Sequence, residues 1–247
     1  MKSRLAFVAL AALALASCQK KAADSGAPTP PSSPVAAMAP PAGKKWTDVI
    51  TTTPQGGVVM GNPNAPVKFV EYASFTCPHC KKFEADAAED LKANYIASGK
   101  VSWEFRSFII HSPDMPVTLL MSCRGADSYF AITEQLYATQ DDWLMKLVNL
   151  PKDQQEALQQ LPPVGQFKRM TDVMGIYGFM AARGLPKTQA EACLADQKGI
   201  DARTAIQNNY QNVDQINGTP TFFINGQQQT EITEWDKLEP RLKAAIG

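Results

Sequence analysis

Histidine and cysteine are scarce, with two and five in 247 residues, and basic and acidic side chains balance at 24 each. The shortage of ligands bears on metal binding. Cys77-Pro78-His79-Cys80 is half of what a structural zinc site needs, and no second pair accompanies it. The other cysteines, Cys18, Cys123 and Cys193, are isolated. The one further histidine, His111, precedes Ser112-Pro113 and reads as a loop or surface residue with no assigned role. A chain without a basic excess offers no face for nucleic acid, and one without a charge run offers no polybasic membrane patch. No internal repeat is present. From Trp46 to Gly247 about 200 residues remain, enough for one domain with a sizeable core.

Residues 1–17 carry Lys2 and Arg4 and then an apolar run from Leu5 to Ala16, the n-region and h-region of a secretory signal. The run falls short of the roughly 20 apolar residues that span a bilayer. Leu15-Ala16-Ser17-Cys18 resembles the lipobox of bacterial lipoproteins, in which the cysteine is lipidated and becomes the first mature residue. That resemblance implies a membrane anchor facing the periplasm. The alternative is an ordinary signal cut near Ala16 or Ser17, which leaves Cys18 as an unpaired thiol, a liability in an exported chain. Loss of Lys2 and Arg4 would leave 22 basic against 24 acidic side chains. Gln19 to Lys45, with six prolines and almost no large apolar residue, reads as a tether. Its reach is roughly 80 Å as extended polyproline and roughly 30 Å as a coil. The expected domains are thus a leader at 1–17, a tether at 18–45 and a folded unit at 46–247.

What is present is a pair of thiols at a redox spacing. Cys77 and Cys80 lie where the apolar strand Val67 to Tyr72 turns into a helix, so unpaired backbone N–H groups and the positive dipole end stand beside the first sulfur. That favours the thiolate at Cys77, and a stabilised thiolate makes a disulfide easier to reduce and hence more oxidising. His79, if protonated, adds to this. Pro78 suits the first helical turn, where its missing donor has no helical partner. Phe83, Ala87, Leu91 and Tyr95 recur every four residues, with a stop expected at Gly99. In an oxidising compartment Cys123 and Cys193 are left for each other, against the alternative of two buried free thiols.

Val101 to Phe108 alternates as a strand does and closes a β-α-β unit. About 100 helical residues follow, roughly 113–215. Here Met170, Val173, Met174 and Tyr177 make a helical stripe better read as core than as a copper surface, and Thr188 and Glu191 form a capping-box pair. Thr221 to Ile224 is a strand ending in the hairpin signal Asn225-Gly226, and Thr233 caps a last helix carrying Leu238, Leu242 and Ile246.

In Phe75-Thr76-Cys77-Pro78-His79-Cys80 and Gly218-Thr219-Pro220-Thr221-Phe222-Phe223-Ile224-Asn225-Gly226 the chain resembles a DsbA-like thiol:disulfide oxidoreductase over roughly residues 57–247. The resemblance implies an α/β, thioredoxin-like fold with a helical insertion between the β-α-β unit and the C-terminal hairpin and helix. It implies that Pro220 is cis and faces the redox pair, and that Thr219 presents backbone groups to bound peptide. It also implies a buried acid at Glu71, six residues before Cys77, able to accept the Cys80 proton; alternation alone leaves this side chain free to face solvent. The activity implied is oxidation of reduced or unfolded exported proteins in the cell envelope, without a cofactor or metal, and with reoxidation by a DsbB-type membrane quinone reductase. The rivals are a disulfide isomerase or reductase of the same fold, which Thr219 resembles more, and a lipid-tethered module holding metal or a partner through Cys77, His79 and Cys80.

Overall fold

A computed structural model of the protein describes Ser33 and residues 35–247. The leader, the lipidation site Cys18 and the first part of the tether lie outside the described residues. The strands are Ile50–Thr52 (β1), Val58–Gly61 (β2), Val67–Ala73 (β3), Val101–Ser107 (β4), Thr221–Ile224 (β5) and Gln227–Gln228 (β6). They form one sheet in the order β1-β2-β4-β3-β5-β6. β3 and β4 run parallel around a helical crossover, and β5 lies antiparallel on the other edge of β3. The crossover is Pro78–Asp90 (α1). Between β4 and β5 come Asp114–Arg124 (α2), Tyr129–Ala138 (α3), Gln140–Val148 (α4), Lys152–Gln159 (α5), Pro163–Val173 (α6), Ile176–Ala181 (α7), Lys187–Leu194 (α8) and Gln197–Asn212 (α9); Trp235–Ile246 (α10) closes the chain. This is the expected thioredoxin-like order with helices inserted between the β-α-β unit and the hairpin. None of the described helices is long and apolar enough to cross a membrane.

The alternation of β3 sends Val67, Phe69, Glu71 and Ala73 to the face covered by α1. Phe69 meets Phe83 of α1 at 6.4 Å and Phe222 of β5 at 5.7 Å between ring centroids, and Phe83 meets Phe222 at 4.4 Å. Each such ring contributes about 1.5–3 kcal/mol by leaving water. The other face sends Tyr72 onto Tyr210 of α9, edge to face at 5.0 Å. The sheet is therefore covered on both sides, and the turn that carries Cys77 follows β3 out of this packed layer.

α1 buries Phe83 and Ala87, and Leu91 and Tyr95 follow on the same face in a π-helical extension, Leu91–Ile96. Gly99 then turns at φ +71 with the Trp46 indole where a Cβ would stand, so only glycine fits. Asn225 and Gly226 both take positive φ, 52 and 79, in the expected hairpin turn. Met170, Met174 and Tyr177 are buried in the core and Val173 is half-buried, although a break at Gly175 (φ +75) ends α6 before Met174 and starts α7 after it.

Several expectations are corrected. β1 and β2 were not anticipated: they have three and four residues, and β2 is buried throughout, so neither displays a period. Thr188 does not cap α8. Pro186 holds the cap position, and Glu191 instead pairs with Lys187 at 3.7 Å, one turn along the surface. Thr233 does not cap α10 either; Glu234 takes that position without a capping bond and accepts from Lys237 at 2.6 Å. The last part of the tether is docked rather than free. Val35 N–H donates to the Ile246 carbonyl at 2.8 Å and Met38 N–H to Ser98 at 3.1 Å, while the Met38 carbonyl accepts from the Trp46 indole at 2.7 Å. Residues of a proline-rich strip that keep their N–H groups can satisfy carbonyls left open at helix ends.

Candidate active site

Cys77 is the N-cap residue of α1 and Pro78 opens its first turn. Both cysteines are free thiols in this structure and both are buried, at 3% and 0% exposure. The Cys77 thiol is pulled from an ordinary 9.0 down to about 5. The largest cause is the hydrogen bond from Cys80; the neighbouring Thr219 side chain and the backbone N–H groups of Cys80 and His79 add to it, and together they overcome burial, which acts the other way. Cys80 moves oppositely: burial raises it well above an ordinary thiol, and its bond to Cys77 and the charges on Cys77 and Glu71 raise it further. The pair therefore holds one thiolate and one thiol at neutral pH, with the thiolate on the outer sulfur.

The peptide bond Thr219-Pro220 is cis. β5 pairs antiparallel with β3, Thr221 opposite Tyr72, and this register carries Thr219 to the end of β3 where the Cys77 turn begins. The Cys77 thiol lies within reach of the Thr219 carbonyl, which accepts from it at 3.4 Å, and the buried Thr219 hydroxyl has no hydrogen-bond partner. His79 is exposed, and what it supplies to Cys77 is its backbone N–H.

Glu71 faces inward, at 0% exposure, so the solvent-facing alternative does not hold. One carboxylate oxygen accepts from the Trp103 indole at 3.0 Å, and the other has no partner. Burial first, and then the charges of Glu84 and Cys77, hold this acid well above the usual carboxylate range against the Trp103 bond. Glu84, on the buried face of α1, is raised to about 8, chiefly by burial and then by Glu134, with Lys92 opposing. It was not anticipated. Its place beside Phe83 in the apolar stripe of α1 was the available signal.

Two other residues at the site, Asp114 and Gln140, carry no expectation from the sequence, and His111 lies in an exposed loop as read. Asp114 is fully buried and accepts from the Ser74 hydroxyl at 2.8 Å, from the Thr76 N–H at 3.0 Å, and from the Ile110 and His111 N–H groups at 3.0 Å each. It joins the loop after β4 to the turn before Cys77. His111 is exposed, yet its Nδ1 shares a hydrogen bond of 2.8 Å with the Thr76 hydroxyl, next to the first cysteine. Gln140 reaches in from α4 and donates to the carbonyls of Phe75 and Cys77 at 2.8 and 3.1 Å. Only Asp114 carried a signal, an acid at the start of a helix. Cys123 and Cys193 form a disulfide between α2 and α8, with Cα atoms 6.3 Å apart across 70 residues of sequence.

The sequence pattern of a protein family described as Thioredoxin matches residues 53–244. The chain belongs to the thioredoxin family. Within this family it is 29% identical over 209 residues to disulfide bond formation protein D of Bacillus subtilis, a match covering 82% of this chain and 84% of that one. A Rickettsia bellii relative, which bears the provisional name protein-disulfide oxidoreductase, is 26% identical over 193 residues; the match takes in 78% of this chain but 65% of the relative's length. Among solved structures, the protein-disulfide isomerase from Novosphingobium aromaticivorans superposes with a TM-score of 0.71 at 28% identity, over 75% of this chain and 95% of that one. The alpha-DsbA1 of Wolbachia pipientis superposes with a TM-score of 0.61 at 22% identity, over 78% and 94%, and bears on the fold alone.

Proposed function

We propose that the chain is a thiol:disulfide oxidoreductase of the cell envelope that oxidises cysteines of exported proteins through Cys77 and Cys80. The observation that carries this reading is the split between the two thiols, Cys77 at about 5 and Cys80 raised. In the disulfide form, a substrate thiolate attacks Cys77 Sγ; a new sulfur–sulfur bond forms, the Cys77–Cys80 bond breaks, and Cys80 leaves with the electron pair and takes up a proton. Glu71, held protonated by burial, is placed to carry that proton. A second substrate thiol, after losing its proton, attacks the substrate sulfur of the mixed disulfide and expels Cys77 as the thiolate. The substrate is oxidised by two electrons and the pair is reduced by two. Thr219 and Pro220 border Cys77 and would receive the extended substrate backbone.

Stabilising the Cys77 thiolate favours the reduced pair and so makes its disulfide a donor. A membrane quinone reductase of the DsbB type would return the pair to the disulfide. In this reading residues 1–17 are a cleaved leader, Cys18 carries lipid, and a tether from 18 holds the domain at a periplasm-facing membrane. A disulfide isomerase of the same chemistry is the second reading, favoured by Thr219 and by the likeness to the Novosphingobium protein-disulfide isomerase. The equilibrium potential of the pair in full-length protein, read by thiol trapping in glutathione buffers, separates donor from reductant. A value near or above about −180 mV supports the donor reading, and one near about −270 mV overturns it.

A further inference from the structure

Beyond Asp114 at the start of α2, the helical insertion meets the turn that carries Cys77 through few polar groups. The Tyr137 hydroxyl donates to the Ser74 carbonyl at 3.0 Å, and Lys81 pairs with Asp141 at 2.6 Å on the exposed side. Between them Gln140, the first residue of α4 and 2% exposed, gives its amide nitrogen to the carbonyls of Phe75 and Cys77. A carboxamide nitrogen carries two N–H groups, and here both are spent on one turn. The two neighbours are carbonyl acceptors, so the nitrogen and not the oxygen must face them.

The Cys77 carbonyl is also where α1 begins, since it accepts the Lys81 N–H at 3.1 Å. Gln140 thus grips the peptide unit from which the first turn of α1 is aimed. That turn carries the backbone N–H groups of His79 and Cys80, which reach Cys77 Sγ. If the peptide unit rotates, those donors swing away from the sulfur, because hydrogen bonds weaken steeply off line.

We propose that Gln140 is a positioning residue of the redox pair: from the helical insertion it holds the Cys77 turn in the orientation that aims the α1 donors at the outer sulfur, and so sets the balance between dithiol and disulfide. The proposal rests on the reading of Cys77 and Cys80 as a redox pair. It makes the insertion part of the thiol chemistry rather than a cover over it.

The test compares full-length wild-type protein with Gln140→Met, which keeps the side-chain length and removes both donors, and with Gln140→Asn, whose amide falls one methylene short. Thiolate ultraviolet absorbance against pH and the equilibrium with glutathione are read for each. In Gln140→Met the Cys77 midpoint should rise by roughly one pH unit, and the glutathione equilibrium should move by up to about tenfold toward the protein disulfide. Gln140→Asn should move both in the same direction, and it carries the test if the methionine variant fails to fold. Asp141→Asn, which removes only the exposed ion pair, should leave both unchanged. A fall in melting temperature with the midpoint unmoved and the equilibrium within about twofold of wild type would mean that Gln140 only supports the fold, and overturns the proposal. A wild-type pair that exchanges with glutathione at no ratio overturns the redox reading itself, an outcome visible before any variant is made.

Discussion

Reducing the Cys77–Cys80 disulfide should consume one proton across neutral pH instead of the two an ordinary dithiol takes. With Cys77 at about 5 and Cys80 above an ordinary 9.0, the reduced pair between those limits is one thiolate and one thiol. Two electrons and one proton lower the potential by about 30 mV per pH unit, against about 59 mV for two electrons and two protons. From about pH 6 to about pH 8 the potential should therefore fall by roughly 60 mV and not roughly 120 mV, and the slope should steepen below pH 5 as Cys77 protonates. Thiol trapping in glutathione buffers at fixed ionic strength measures it. Glu71→Gln, which removes the buried acid while keeping its shape, controls for a carboxyl that exchanges protons with the redox step. A slope near 59 mV through neutrality, in wild type and variant alike, would mean that Cys77 is an ordinary thiol and that the structural account of its stabilisation is wrong.

The same proton deficit has a sign in stability. The folded value of Cys77 is depressed, so its contribution is fully present above the ordinary thiol value and is lost as pH falls toward about 5. Within that window the reduced protein should gain about 1.4 kcal/mol per pH unit relative to the disulfide form. Glu84, raised to about 8, pulls the other way, but it is present in both forms and cancels from the comparison.

Two further outcomes are expected. Cys80→Ser removes the resolving thiol and should accumulate mixed disulfides with substrate proteins on Cys77, visible on non-reducing gels; a protein that merely binds through these residues would yield none. Asp114→Ala takes the acceptor from the N–H groups of Thr76, Ile110 and His111, the first of them in the interior, and from the buried Ser74 hydroxyl. It should cost about 3 kcal/mol or more by urea unfolding, and a loss under about 1 kcal/mol would refute the role given to that carboxylate.

What the sequence determined by itself was local. Cys77 to Cys80 place two thiols at a redox spacing within four residues and, with the strand before them and the stripe Phe83, Ala87, Leu91, Tyr95 after them, specify a strand, a turn and a helix. Asn225-Gly226 encodes its own turn because those residues tolerate positive φ. Such features need no knowledge of distant chain. Thr188 and Thr233 do not cap because helix starts move by a residue or two when a neighbouring proline or ion pair competes.

Only the tertiary structure decided the rest. A strand has two faces and alternation does not say which is inside, so the burial of Glu71 waited on α1 and Trp103 packing over it. Thr219 reaches Cys77 across 142 residues because β5 pairs with β3, and Gln140 reaches the same turn across 63 because α4 starts there. Neither glutamine nor an exposed His111 carries any pattern in the chain that marks it. Their meaning lies in a distance, and distances between remote residues are set by packing, which the sequence specifies only through the whole fold.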